Sequence, residues 1–294
     1  MASGSVAPLI VIAGPTASGK TSLAIDLAER YGGEIICADS RTIYQGMDIG
    51  TAKPTVEERR GVPHWGLDLV EPGEAFSATQ FKTYAQQKIA EIRQRGNVPF
   101  LVGGTGLYID AVVFDFQFGP RADDELRRAL ADMSVEELQR YCHKNNIKLP
   151  ENNKNRRYLM RAIERKGDPI RGDSTPIDNS IIVGITTKRK ELRTRIEFRA
   201  EQIFENNVVK EAIWLGKKYG WESEAMTGNI YPIVHRYIRG DIDEAELKRQ
   251  FIVSDWHLAK RQLTWLRRNP HLLWGDRRSA EHYLSQFLAQ TYIL

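Results

Sequence analysis

The segment Ile12-Ala-Gly14-Pro-Thr-Ala-Ser-Gly19-Lys20-Thr21 constrains this chain more than any other, because it fits G-x-x-x-x-G-K-[ST] between an apolar run and an amphipathic one. In that geometry Gly14, Pro15, Thr16, Ala17, Ser18 and Gly19 wrap backbone around a polyphosphate. Lys20 adds a point charge, and the Thr21 hydroxyl can ligate Mg²⁺. Leu9-Ile-Val-Ile12 reads as a buried strand, and Leu23, Ile25, Leu27 and Ala28 begin a helix, so the motif has the strand-to-helix context it needs. The loop predicts a phosphate ligand but not whose phosphates they are.

Strand-like runs at 9–12, 34–38, 100–102 and 181–185 alternate with helical patterns near 20–31, 78–95 and 188–218. That alternation predicts an α/β fold, a parallel phosphate-loop sheet flanked by helices, with its ligand at the carboxyl ends of the strands. Between about 115 and 178 the strand pattern stops. Short charged helical segments at 123–131, 134–144 and 153–166 sit there between Gly119-Pro120 and the Pro169–Pro176 stretch. The expected organisation is a core made of 1–114 and 179–294, interrupted by a small helical insertion at 115–178.

At 294 residues with 41% hydrophobic content, the chain can bury one large core plus a smaller module. No apolar run approaches membrane-spanning length, and Met1-Ala-Ser-Gly lacks the basic and apolar regions of a secretory signal, so a cytoplasmic location without membrane partners is expected. Cys37 and Cys142 are too few for a disulfide framework or a cysteine-built zinc site, and read as packing residues. The six histidines show no metal-ligand spacing.

Charge is unevenly placed. From Arg140 to Arg171 ten Lys or Arg meet three acids, a local +7 in a chain whose total is +4, which leaves −3 for the rest. Such a block fits a polyanionic partner or a solvated helix face. A second basic stretch, Asp255-Trp-His-Leu-Ala-Lys-Arg-Gln-Leu-Thr-Trp-Leu-Arg-Arg268, has Trp256, Ala259, Leu263 and Leu266 at helical spacing, leaving Lys260, Arg261, Thr264, Arg267 and Arg268 opposite. No acid interrupts those cations, which favours phosphate-backbone contact over a plain surface helix.

Two strand ends should converge on the loop. Glu34-Ile-Ile-Cys-Ala38 runs into Asp39-Ser40-Arg41, where Asp39 is placed either to act as a general base or to cap the following turn. Pro99-Phe-Leu-Val102 runs into Gly103-Gly-Thr105-Gly106, whose glycines admit close backbone approach while Thr105 offers a hydroxyl. A nucleotide hydrolase would be expected to end that strand in an acid for Mg²⁺, yet glycine follows. ATP hydrolysis loses ground.

Gly14–Thr21, Asp39-Ser-Arg, Gly46-Met-Asp-Ile-Gly-Thr-Ala-Lys-Pro54, Ser77-Ala-Thr-Gln-Phe81, Gly103-Gly-Thr-Gly-Leu-Tyr108 and Ala259-Lys-Arg-Gln-Leu-Thr-Trp265 together resemble the tRNA dimethylallyltransferase (tRNA isopentenyltransferase) family. The resemblance implies transfer of a five-carbon prenyl group from dimethylallyl diphosphate to the exocyclic amine of the adenosine 3′ to the anticodon, with Mg²⁺ as cofactor and tRNA as partner. It implies Asp39 as the base, Lys20 and the loop on the diphosphate, Thr105 in the same channel, and an arginine from Arg193-Thr-Arg-Ile-Glu-Phe-Arg199, with Arg199 preferred and Arg195 next. It also implies base contacts from Asp39, Ser40, Arg41 and Thr42. RNA-backbone contacts fall to Arg157, Arg161, Lys260 and Arg261 of a chain acting as a monomer. A stacked base cannot reach a buried diphosphate, so the adenosine should be flipped.

Several positions depart from the family pattern. Gly228–Ile233 replaces an Ile-Gly-Tyr-Lys-Glu segment and brings Pro232, Asp255-Trp256 replaces a common Thr-Arg, Thr42 replaces a frequent Gln, Asn207 a frequent Gly, and Tyr158 a frequent Arg. None touches Lys20, Thr21, Asp39 or Thr105. The alternatives left by the residues are a phosphate-loop small-molecule kinase, a prenyltransferase acting on free AMP, or an RNA-binding protein without catalysis.

Overall fold

The computed structural model describes residues 6–119, 123–168, 172–228 and 230–291. The amino-terminal tetrapeptide, Pro120, Pro169, Arg171 and Asn229 lie outside the described residues. Two compact units are present, one formed by Met1–Phe114 with Thr175–Leu294 and the other by Asp115–Ser174. The larger unit resumes before residue 178 because the Ile177 N–H already bonds the Val113 carbonyl at 2.8 Å.

The larger unit begins with β1 (Leu9–Ala13), α1 (Lys20–Tyr31), β2 (Gly33–Ala38), β3 (His64–Trp65), α2 (Ala78–Gln94), β4 (Val98–Gly103) and α3 (Gly106–Val113). The smaller unit supplies α4 (Asp124–Ala131), α5 (Val135–Lys144) and α6 (Arg156–Glu164). The chain then returns through β5 (Ser180–Ile185), α7 (Arg189–Glu205), α8 (Val208–Tyr219), α9 (Tyr231–Ile238), α10 (Glu244–Leu266), β6 (Leu273–Gly275) and α11 (Arg277–Thr291). All strand pairs are parallel, in the order β3-β2-β4-β1-β5-β6. The short edge strands β3 and β6, and the helices α3, α9 and α11, went unseen in the sequence, as did the first half of α10.

The apolar run of β1 is explained by burial on both faces. Ile10 and Ile12 join a cluster with Leu23 and Leu27 of α1 and Leu284 and Leu288 of α11. Leu9, Val11 and Ala13 pack on the other side with Phe81, Ala85 and Ile89 of α2 and Ile109 and Val112 of α3. A strand covered on both sides has no polar alternation to show.

One expectation is corrected: the pattern at 188–218 is two helices rather than one. Asn207 adopts φ 68°, the left-handed conformation that Asn tolerates, and α8 starts from it in a new direction. Pro232 does not disrupt its segment, because it lies in the first turn of α9, where a missing N–H breaks no helical bond.

In the smaller unit each helix starts from a side-chain cap, Asp123, Ser134 and Asn155. Leu130, Leu138, Cys142, Leu159 and Ile163 form its core. Both cysteines are buried and free.

Candidate active site

Strand register brings the site together. Ala13 pairs with Gly103 and with Gly184, and Ala38 also pairs with Gly103, so these residues lie abreast. Gly14, Asp39 and Gly104, the next residues along, therefore leave the sheet at one edge, within about 10 Å at ordinary strand spacing. Gly103 is required there, since a Cβ would lie 2.0 Å from the Ala38 carbonyl oxygen.

The loop turns through Gly19, whose φ of 86° no side chain adopts without strain, directly into α1. That helix start has no side-chain cap and no acid in its first turn, so its N–H groups and positive dipole end are left for an anion. The Ser18 hydroxyl is buried with no hydrogen-bond partner among the described residues, as expected of a donor waiting for a ligand oxygen. Lys20 Nζ donates to the Pro15 carbonyl at 3.2 Å. Burial lowers its pKa to about 8, opposed by the Asp39 carboxylate, assisted by the Arg199 guanidinium and opposed again by Asp255. A lysine that is costly to keep charged gains from an incoming anion.

Asp39 and Thr105 meet across β2 and β4. The Ser40 N–H donates to Thr105 Oγ1 at 3.1 Å, while Asp39 Oδ1 accepts from the Arg41 N–H at 2.8 Å. One Asp39 oxygen thus caps the turn, and the carboxylate still faces the space where Lys20 feels its charge. The capping reading of Asp39 is the one observed, and its charge also reaches Lys20.

Two of the arginines of α7, Arg195 and Arg199, are engaged in different ways. Arg195 Nη1 donates to the Ser18 carbonyl at 3.1 Å and Nη2 pairs with Glu191 at 2.6 Å, bracing the loop from outside. Arg199 pairs through Nη1 with Asp255 at 2.5 Å and through Nη2 with the Thr51 carbonyl at 3.1 Å. Its charge reaches Lys20 and lowers that lysine's pKa. The Asp255 departure thereby acquires a function: at 1% exposure it is a buried counter-charge that holds Arg199.

The remaining predicted residues are placed less uniformly. Arg41 is partly exposed and engaged with the 224–227 turn, its Nη1 donating to the Glu224 carbonyl at 2.9 Å and its Nη2 to Thr227 Oγ1 at 3.4 Å. Thr42 is buried, and its hydroxyl has no hydrogen-bond partner among the described residues. Lys260 and Arg261 are exposed on α10, with Lys260 over the Trp256 ring. In the smaller unit Arg157 is exposed, whereas Arg161 pairs at 2.6 Å with Glu164, a carboxylate that also accepts from Arg127 at 2.9 Å.

Gln262 and Asp255 were missed as site residues. Gln262 Oε1 accepts from the Thr16 N–H in the loop at 2.8 Å. Its signal lay in the Ala259–Trp265 motif, where the cations on either side drew attention outward.

Among the described residues no group of three His, Cys, Asp or Glu could hold a metal. A cation here has to rely on the partly exposed Thr21 hydroxyl, water and ligand oxygens, a hard-oxygen set that suits Mg²⁺.

Fold and site define an α/β protein with a phosphate-loop motif at the carboxyl end of a parallel sheet, beside which Asp39 leaves the neighbouring strand end. The chain belongs to the IPP transferase family, whose model matches residues 42–269, while a model for isopentenyl transferase matches residues 7–70. It is 37% identical over 286 residues to a tRNA dimethylallyltransferase of Anaeromyxobacter dehalogenans, covering 90% of this chain and 94% of that one. It is 39% identical over 289 residues to one from Acetivibrio thermocellus, covering 90% of each. The full-length tRNA isopentenylpyrophosphate transferase of Bacillus halodurans superposes with a TM-score of 0.74 at 34% identity, covering 97% of both chains. A eukaryotic dimethylallyltransferase acting on tRNA shares the fold, with a TM-score of 0.80 at 21% identity over 92% of this chain and 74% of that one. No helix among the described residues is long and apolar enough to cross a membrane.

Proposed function

We propose that this chain, a cytoplasmic monomer, transfers a dimethylallyl group from dimethylallyl diphosphate to the exocyclic amine of the adenosine 3′ to the tRNA anticodon. Family membership supports the reaction. The observation that carries it onto these residues is one strand edge presenting a phosphate loop, Lys20 and Asp39 in mutual electrostatic reach.

As the amine nitrogen attacks the allylic carbon, the N–C bond forms, the C–O bond breaks and pyrophosphate leaves with the electron pair. Asp39 accepts the proton released from the nitrogen. Loop N–H groups, Lys20 and Arg199 meet the charge growing on the leaving oxygens, where fixed donors lower the barrier most. Arg195 keeps the loop in shape, and Thr105 ties Ser40 and therefore Asp39 to the strand edge. Thr21 would hold Mg²⁺ together with the diphosphate oxygens, and the ion supplies further neutralisation of the leaving group. An exocyclic amine is a poor nucleophile, so orienting it contributes more than basicity does.

Purified protein given labelled dimethylallyl diphosphate and Mg²⁺ is expected to label tRNA and neither free AMP nor water. Label on AMP, or phosphoryl transfer from ATP, would favour the free-nucleotide alternative.

The RNA-holding role goes to exposed cations. Alanine at Arg157, Lys260 or Arg261 is expected to raise the tRNA Kd and to flatten the slope of log affinity against log salt by about 0.7–0.9 per lost contact. Arg161→Ala should change the slope less than Lys260→Ala, given its partial exposure and its bond to Glu164. The rate at saturating tRNA should hold in all four, because these contacts are equal in ground and transition states. Arg199→Ala should show the reverse, losing rate at nearly constant tRNA affinity. Titrations at several salt concentrations and single-turnover rates measure both quantities.

A further inference from the structure

One donor of the phosphate loop is already engaged. The Thr16 N–H, in a buried residue, donates to Gln262 Oε1 at 2.8 Å, a bond between residues 246 positions apart. The carboxamide is tightly housed. A Cβ at Gly104 would lie 2.3 Å from Gln262 Nε2, so the absence of a side chain there makes its room. One turn along α10, the Trp265 indole N–H bonds Asp110 at 2.6 Å and the ring lies against Gly106, where a Cβ would come within 1.9 Å. Gln262 is therefore held against Thr16 and Gly104, on a helix that Trp265 anchors one turn further on.

A phosphate loop distributes its donors in chain order. The N–H groups where the helix starts cradle the phosphates nearest the helix, and the lysine reaches outward to the next. Donors closer to the preceding strand remain for a phosphate lying farther out. We infer that Gln262 is a specificity-determining residue: its Oε1 sits where an oxygen of a third phosphate would accept from Thr16, matching the loop to a diphosphate and closing it to a triphosphate. The inference rests on the reading of this loop as a diphosphate site. A triphosphate would have to displace a housed carboxamide, or bring a charged oxygen against its partial negative charge. The diphosphate meets no such conflict.

The test uses the full chain with saturating tRNA and Mg²⁺, titrated calorimetrically with inorganic pyrophosphate and inorganic tripolyphosphate. Gln262→Ala removes the competing acceptor and should shift the ratio of the two affinities toward tripolyphosphate about fivefold, the effect of one freed hydrogen bond. Gln262→Glu keeps an acceptor at Thr16 and adds charge, so its ratio should stay at the wild-type value or move toward pyrophosphate. A purely structural role would weaken both anions together and leave the ratio unchanged. An unchanged ratio in Gln262→Ala with pyrophosphate still bound, or a shift toward tripolyphosphate in Gln262→Glu, overturns the inference alone. Failure of the wild-type chain to bind pyrophosphate overturns the diphosphate reading and the inference with it.

Discussion

Asp39→Ala is expected to lower the single-turnover rate of prenyl transfer by about 10²–10⁴-fold, the range for a positioned general base, while tRNA affinity changes little. Asp39 leaves β2 at the edge where the phosphate loop opens, and its charge is felt by Lys20. Its second role, accepting the Arg41 N–H, needs only an oxygen. Asp39→Asn separates the two, because the amide can cap the turn but cannot take a proton. If proton transfer and charge matter, Asn is nearly as slow as Ala. If Asp39 only shapes the turn, Asn runs close to wild type and the assignment falls.

Lys20→Ala should cost about 10²–10³-fold in kcat, the usual loss when one fixed donor to a developing oxyanion is removed, and should also weaken dimethylallyl diphosphate binding. The wild-type protein carries a pH signature of this lysine. Burial lowers its pKa to about 8, so the charged form is complete below that pH and is lost as pH rises through it. kcat/KM for dimethylallyl diphosphate, which reports the free enzyme, should therefore fall above about pH 8. The limb in kcat should lie higher, because a bound diphosphate favours the ammonium. Lys20→Arg keeps a charge that does not titrate in this range, so its residual activity should lose the limb near pH 8. Rate profiles from pH 6 to 10 check this; a limb that persists in Lys20→Arg would assign it to another group.

Most of the chemistry was legible because it is local. Gly14 to Thr21 are consecutive, and the conformations they need, a left-handed Gly19 and an uncapped helix start, are set within the segment. Asp39 and Thr105 were legible for a related reason: each comes just after an apolar strand, and the strands of a parallel sheet deliver their succeeding residues to the same edge. Asn207 belongs with these, since its φ of 68° is a property of the residue itself. The edge strands β3 and β6 were not legible, being two and three residues long, too short for any period to register.

By itself, then, the sequence determined the phosphate-loop motif, the α/β alternation, the carboxylate at the strand end and the helical insertion. Each of these depends on residues close together in the chain. Tertiary structure decided which cations are available and which are engaged. Arg199 is held by Asp255, Arg161 by Glu164, and Arg41 by the 224–227 turn. It also decided that Gln262 of α10 answers an amide in the loop. The long-range pairings among these depend on how α10 and the 224–227 turn lie against β1, β2 and α7. Even Arg161 and Glu164, three residues apart, share their carboxylate with Arg127 of another helix. A buried carboxylate or carboxamide finds its partner through packing, and its local sequence carries no mark of the residue it will meet.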